Sequence, residues 1–171
     1  MATYTFNAAK YPQAASHAWL IQHKLANHPG SQADSKPLCF LPDGDISGNR
    51  TVICPTGWAA ANGDTSALNG TTDKPNCDEY AFNSTYNTLA SKQDGAVHLF
   101  NIDGLVPTWK EVCGRSAISG SDNSGSMAGF ATFNANQRLL DRDPYWLNTN
   151  MSAACSDDST TVKCTMTANN Q

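Results

Sequence analysis

Six cysteines constrain the fold of this chain more than any other feature of its sequence. They are spread over most of the 171 residues, at Cys39, Cys54, Cys77, Cys113, Cys155 and Cys164. An even number of cysteines with no C-x2-C pair and no Cys/His cluster of zinc-finger spacing favours disulfides over a zinc site or free thiols. The sequence therefore predicts a fold cross-linked by three bridges in an oxidising compartment.

The pairing of the cysteines is open at this stage, because six cysteines allow fifteen connectivities. Two local pairs are favoured by what they enclose. Cys155 and Cys164 bracket a short polar segment, and Cys54 and Cys77 enclose a stretch rich in Gly, Asn and Thr. The two cysteines left over, the first and the fourth along the chain, would form the third bridge.

The size and composition of the chain favour one secreted domain over residues 1–171, with a core at about 11–147 and a disulfide-bearing tail at 148–171. Apolar residues make up 40% of the sequence and charged residues 15%, a balance common in extracellular proteins. No apolar run has the length of a membrane span, so we expect no membrane contact. We also expect the protein to be a monomer. The first residues lack the charged-then-apolar pattern of a signal peptide, so export would depend on a leader or delivery domain upstream.

Hydrophobic periodicity predicts two main helices and several short strands. The first helix covers 12–26, with Pro12 in its first turn. The second begins after Gly120, is capped by Ser121 or Ser124 and runs to Leu139. Extended segments are predicted at 37–41, 51–54, 97–102 and 105–106, with a closing strand at 145–147, whereas 77–85 suits a strand or a helix start. We expect an α+β fold in which helices pack on an antiparallel sheet.

Two clusters of oxygen-bearing side chains are candidates for chemistry. Asp78 and Glu79 are adjacent carboxylates that follow a cysteine and precede aromatic residues, so they would be held at the edge of the core. Carboxylates fixed in this way bind hard cations such as Mg²⁺, which need only a few protein oxygens. The alternative is an ordinary solvated acidic pair or a helix N-terminus.

The second cluster begins at Asp122 and Asn123 and continues along the predicted second helix with Asn134 and Arg138. At helical spacing an amide ligand at 134 and a phosphate-directed guanidinium at 138 share a face. Taken singly, each residue is as well explained by a cap, a turn or an exposed surface. His17, within the first helix among aromatic neighbours, fits a structural role at least as well as a catalytic one. The sequence contains no G-x-S-x-G elbow, H-E-x-x-H or P-loop.

Several separated blocks resemble the NucA/NucB family of secreted deoxyribonucleases, in the order in which that family has them. They are a Tyr-Pro helix with its His at 11–17, Cys39 with the segment 43–50, the run Cys-Asp-Glu-Tyr-Ala-Phe-Asn-Ser-Thr at 77–85, the Asp-Asn pair at 122–123, and a closing block at 136–146. The chain departs from the signature at Ala81, where the family usually has Pro, and at Asn83, where it has Ala.

The resemblance implies a compact α+β domain with a metal site like that of the ββα-metal nucleases and Mg²⁺ or Mn²⁺ as cofactor. It makes Asp78 the leading general-base candidate. The implied metal ligands are Glu79, Asp122 and Asn134. The implied phosphate-positioning residues are Asn123, Arg50 and Arg138, with His17 as an accessory catalytic group.

The function expected from this resemblance is a secreted, metal-dependent DNA endonuclease with little sequence preference, with RNA as an alternative substrate. A net charge of -4 argues against broad phosphate binding, so a divalent cation and a few arginines would supply the positive field. One alternative is a non-catalytic secreted binding module on the same fold. Another is the toxic tip of a larger delivered protein, which would have an immunity partner.

Overall fold

The computed structural model describes residues 1–24, 30–42, 54, 56, 75–80, 85, 96–101, 104–105, 114–157 and 162–169. Within these ranges the α+β class is confirmed. The elements in chain order are β1 (Ala2–Thr5), α1 (Pro12–Lys24), β2 (Leu38–Cys39), β3 (Pro75–Tyr80), β4 (Ala96–Asn101), β5 (Gly104–Leu105), β6 (Gly114–Ser119), α2 (Gly120–Ser126), α3 (Phe130–Gln137), β7 (Pro144–Asn148), β8 (Met151–Asp157) and β9 (Val162–Ala168).

The strands form two sheets, with the orders β1-β7-β2 and β3-β6-β4-β5-β9-β8. Most neighbouring strands are antiparallel, as expected. Two pairs, β1 with β7 and β4 with β6, are parallel instead. A parallel pair cannot be joined by a tight hairpin, so its partners come from separated parts of the chain. The pairing of β1 with β7 accordingly joins the start of the chain to Pro144–Asn148, after which two further strands follow.

Helix α1 confirms the first predicted helix, and its end lies at Lys24, beyond which 25–29 fall outside the described residues. Its apolar residues Ala14, Ala18, Leu20 and Ile21 are buried, and Trp19 is partly buried. This stripe explains the helix, since an apolar face at helical period gains free energy only when it is packed. The face lies against both hydrophobic clusters of the protein.

The second predicted helix is wrong as a single element, because the chain forms α2 and α3 with a turn between them. The cap is Ser119 rather than Ser121 or Ser124: its side chain accepts a hydrogen bond from the backbone N–H of Asp122. The turn lies at 127–129, with Gly125 before it in α2 and Gly129 as its last residue, and glycine lowers helix stability by roughly 1 kcal/mol. The sequence pattern shows the apolar residues of α3 but not this break.

The strand predicted at 145–147 is present as β7, but it does not close the fold. Strand β7 lies in the middle of the three-stranded sheet, between β1 and β2. Two further strands, β8 and β9, follow it and pair with each other along their whole length. Residues 148–171 are therefore largely part of a sheet and not a simple tail. The undecided segment at 77–85 begins as a strand, β3.

Two of the three expected disulfides are confirmed. Cys54 bonds to Cys77, and Cys155 bonds to Cys164 across the β8–β9 pair. Cys39 lies on β2, and its expected partner Cys113 lies outside the described residues, so that bridge stays a prediction. Residues 51–53 of the strand expected at 51–54, and Asp43, Arg50, Ala81 and Asn83, are also outside the described ranges.

An aromatic cluster holds α3 against the three-stranded sheet. Tyr4 of β1 packs edge-on against Phe130 and lies 5.3 Å from the ring centre of Phe133. Both phenylalanines also contact Tyr145 of β7. The Tyr4 hydroxyl donates to the carbonyl of Ser126 at 2.6 Å, which ties the end of α2 to the same sheet. No helix in the described ranges is long and apolar enough to span a membrane.

Candidate functional site

The candidate site lies where α1 crosses β3 and the start of α2. Three polar residues of α1 bond across this interface to residues of β3, β6 and α2. We call these residues and their partners the polar seam. It consists of Gln13 with Ser119 and Asp122, His17 with Asp78, and Gln22 with Tyr80. The seam brings together His17, Asp78 and Asp122, three candidates from segments far apart in sequence.

The centre of the seam is a buried imidazole–carboxylate pair. His17 Nδ1 lies 2.8 Å from Asp78 Oδ2. An ionised carboxylate only accepts hydrogen bonds, so with Asp78 ionised the His17 Nδ1–H is the donor. The His17 side chain is 1% exposed and the Asp78 side chain is 11% exposed. Asp78 is therefore the member of the pair that solvent reaches.

Asp78 owes its direction to the alternation of β3. Successive side chains of a strand point to opposite faces, so Asp78 and Tyr80 face α1 together. Each meets one residue of that helix, His17 or Gln22. Burial raises the pKa of the Tyr80 phenol, and a weak hydrogen bond from Gln22 opposes that shift. Tyr80 is thus a neutral, fixed neighbour of the carboxylate.

Glu79 points to the face of β3 opposite Asp78. It shares that face with Cys77, and its Oε2 lies 3.8 Å from the sulfur of Cys54, the disulfide partner of Cys77. The adjacent acidic residues thus do not form a side-by-side pair. The sequence of 77–85 suits either a strand or a helix start, so it does not predict that the two side chains point to opposite faces. Only the geometry of a strand separates the two carboxylates in this way.

Asp122 and Gln13 form a reciprocal link between two element ends. Asp122 Oδ2 accepts from the backbone N–H of Gln13 at 2.7 Å, in the first turn of α1. The Gln13 side-chain oxygen accepts from the backbone N–H of Ser119 at 2.8 Å. Gln13 and His17 are one helical turn apart, a rise of about 6 Å. The carboxylates of Asp122 and Asp78 therefore meet α1 at successive turns.

Asn123 connects α2 to the strand that carries Asp78. Its side-chain Nδ2 donates to the carbonyl oxygen of Cys77 at 3.0 Å, one residue before Asp78. The same residue position had been expected to contact phosphate. This hydrogen bond fixes the amide group beside β3. The oxygen of the same amide, Oδ1, is of the type that coordinates a hard cation.

Asn134 and Arg138 belong to a different part of the fold. They lie on and just after α3, which packs on the three-stranded sheet, whereas Asp78 is in the six-stranded sheet. Asn134 Oδ1 is buried and has no hydrogen-bond partner in the described part of the chain. Arg138 is exposed and ends α3 with a left-handed backbone, φ 53°. No contact in the described ranges joins either residue to the seam.

Sequence reasoning missed Gln13, Gln22 and Tyr80 as parts of the site. Gln13 lies in the Tyr-Pro block, but its partners are more than a hundred residues away, and no local pattern predicts that contact. A signal was present in the helix itself. Gln13, His17 and Gln22 are polar residues on its buried side, and a buried polar side chain requires a partner.

The described residues include no group of three or more His, Cys, Asp or Glu side chains placed to hold a metal ion. Mg²⁺ does not need such a group, since it is held by one or two carboxylates together with water and substrate phosphate. The oxygen groups at the start of α2, the carboxylate of Asp122 and the side-chain amide of Asn123, are of the chemical type that Mg²⁺ requires. They supply oxygen ligands only, which suits Mg²⁺ or Mn²⁺.

Comparison with known proteins gives no relative for this chain: no family model, no curated protein and no solved structure matches it.

Proposed function

We propose that this protein is a metal-dependent endonuclease that hydrolyses DNA phosphodiester bonds with little sequence preference. The observation that carries the proposal is the His17–Asp78 pair, joined at 2.8 Å between α1 and β3. Two sequence blocks that resemble the NucA/NucB family meet in this pair. The Asp122–Asn123 block, which also resembles that family, is bonded to the same two elements.

Asp78 is the proposed general base. It is the solvent-reachable member of the pair, and His17 Nδ1 engages its Oδ2. The proton of an attacking water would therefore pass to Oδ1. The water oxygen bonds to phosphorus as the bond from phosphorus to the leaving oxygen breaks, and Asp78 takes up the proton. His17 is a positioning residue in this scheme, because its ring is buried.

Asp122 and Asn123 are the residues that would hold the metal ion. When bound, the metal would supply a Lewis acid that offsets charge on the phosphate and leaving oxygen. Asp122 is held by the first turn of α1, and Asn123 is held by β3. This fixation keeps the two donors in place before substrate binds, which lowers the cost of organising the site.

DNA is the proposed substrate because of the family resemblance, and the charge of the chain sets a condition on its binding. With a net charge of -4, general attraction to phosphate is weak. The bound cation would provide the local positive field at the site. We place the activity in an oxidising, extracytoplasmic compartment because two disulfides cross-link the described fold.

A plasmid-nicking assay tests the function. Purified protein is incubated with supercoiled plasmid in Mg²⁺ or Mn²⁺ and then in EDTA. We expect metal-dependent conversion to open-circular and linear forms, and a loss of at least about 100-fold for Asp78→Asn. Asp141→Asn, an exposed carboxylate before β7, is the matched control and should keep full activity. Absence of metal-dependent cleavage, with no metal-induced rise in melting temperature, would favour a non-catalytic binding module instead.

The role of His17 is tested by two substitutions, one of which keeps a hydrogen-bond donor to Asp78 and one of which removes it. His17→Asn keeps a donor near the position of Nδ1, and His17→Leu removes it while keeping an apolar ring-sized volume. If His17 positions Asp78, the Asn variant retains more kcat than the Leu variant, KM changes little, and the pH profile keeps its shape. If His17 were itself the acid or base, both variants would lose the same pH-dependent limb.

A further inference from the structure

The Cys54–Cys77 disulfide lies directly beside the proposed base. Cys77 precedes Asp78 on β3 and is 1% exposed, whereas Cys54 is partly exposed. The carbonyl of Cys77 also accepts the hydrogen bond from Asn123. The residue before Asp78 is thus held by a covalent bond through its side chain and by a hydrogen bond through its backbone.

These two links act on β3, a strand that lies at one end of the six-stranded sheet as far as the described residues show. It is the first strand in the order of the six-stranded sheet and, in the described ranges, pairs only with β6. A strand at the edge of a sheet has one row of ladder hydrogen bonds instead of two. Among the described contacts, the disulfide and the Asn123 hydrogen bond add to the single ladder with β6 in fixing the position of β3.

Glu79 places a negative charge at the exposed end of the bridge. Its Oε2 lies 3.8 Å from the sulfur of Cys54. A disulfide sulfur has no proton to donate, so this contact is not a hydrogen bond in the oxidised protein. Disulfides are opened by thiolates, which are anions, and an anion approaching Cys54 meets the carboxylate of Glu79. After reduction the Cys54 S–H would have an acceptor in the same carboxylate.

We propose that the Cys54–Cys77 bridge is a redox switch for the Asp78 site and that Glu79 protects it from thiols. Only the activity part of this proposal rests on the proposed nuclease function. A thiolate of a dithiol attacks the Cys54 sulfur, the disulfide breaks, and Cys77 leaves as a thiolate that takes up a proton. The second thiol of the reagent then displaces Cys54 as a thiol. The protein gains two electrons and two protons, and the dithiol becomes a cyclic disulfide.

Opening the bridge moves groups beside Asp78. The two sulfur atoms, no longer bonded, separate to van der Waals contact, and Cys77 has no free space around it because it is buried. Either β3 or the segment at Cys54 must shift. A displacement of about 1 Å in a catalytic group costs on the order of 100-fold in rate. The reduced protein should therefore be folded but slow.

The protection by Glu79 is tested by the rate of opening, which needs no nuclease activity. Intact protein is treated with dithiothreitol or with an uncharged phosphine, and alkylated Cys54 and Cys77 are followed by mass spectrometry. Glu79→Gln should open about three- to tenfold faster with dithiothreitol at low ionic strength, less so in high salt, and equally fast with the phosphine. An unchanged rate for Glu79→Gln, or an equal acceleration in the control Asp141→Asn, would overturn the protective role.

The switch is tested by plasmid nicking before and after opening, in a Cys155→Ser/Cys164→Ser background that removes the other described bridge. We expect at least a tenfold loss on opening, recovery on reoxidation, and a cooperative melting transition in both states. Full activity after complete opening overturns the switch, and so does loss through unfolding, since a switch needs a folded inactive state. If the oxidised protein never cleaves DNA, the nuclease proposal fails, and the opening rates still decide the role of Glu79.

Discussion

Removing one member of the His17–Asp78 pair should cost more stability than removing both. The single variants His17→Leu and Asp78→Leu each leave a polar group buried against α1 or β3 without its partner. The double variant replaces the pair by two apolar side chains of similar volume, which is often near neutral in a protein interior. The structure thus predicts a strongly non-additive double-mutant cycle.

The magnitude follows from the burial of the two groups. Breaking a fully buried ion pair costs about 3–5 kcal/mol, and a hydrogen bond to a charged group contributes about 1.5–3 kcal/mol. Because the Asp78 side chain keeps 11% exposure, water can solvate it in part, so the lower end applies. We expect a loss of about 3 kcal/mol for His17→Leu and about 1 kcal/mol for His17→Asn. Because the double variant should lose less stability than either single variant, the coupling energy should be at least about 3 kcal/mol.

The assay is urea denaturation at pH 7 with the disulfides intact, followed by circular dichroism for the parent, both single variants and the double variant. A coupling energy within about 0.5 kcal/mol of zero would refute the reasoning, because the two side chains would then contribute independently. Equal losses for His17→Asn and His17→Leu would also count against it, since only the Asn side chain replaces the Nδ1–H donor.

Three further outcomes follow from the packing. A Cβ added by Gly125→Ala would clash with the Tyr11 ring, so we expect a loss of about 1–3 kcal/mol in urea denaturation. Asp122→Ala should cost about 1 kcal/mol by removing the cap of α1, and Asp122→Asn less, measured in the same way. Burial raises the pKa of Tyr80 and Tyr145 above the usual 10.0, so the folded protein keeps protons that the unfolded chain loses above about pH 10. Stability should therefore fall with rising pH there, by about 1.4 kcal/mol per pH unit for each phenol, and Tyr80→Phe should flatten that slope.

The parts of the fold that follow from local sequence were predictable. Helix α1 has an apolar stripe and a proline in its first turn, and both features act within the segment itself. The pairs Cys54–Cys77 and Cys155–Cys164 close short loops, and short loops pair with little entropic cost. The break between α2 and α3 was not predictable from periodicity, since the apolar residues on both sides keep a helical spacing.

The candidate site was predictable as a set of residue types but not as an arrangement. Asp78 and Asp122 stand out as carboxylates near cysteine or asparagine, yet nothing local predicts that they contact successive turns of α1. Glu79 shows the reverse case. Adjacent in sequence to Asp78, it is separated from it by the alternation of β3, a property of the strand and not of the residue pair.

The sequence by itself determined the α+β class, helix α1, the two local disulfides and the acidic residues that carry the proposed chemistry. Each of these depends on residues near one another along the chain. The tertiary structure alone decided that His17 supports Asp78, that Asp122 caps α1 and that Glu79 faces the disulfide. The physical reason is that buried polar groups need partners, and the hydrogen-bond partners here lie 61 to 109 residues away, where only the packed sheets and helix bring them together.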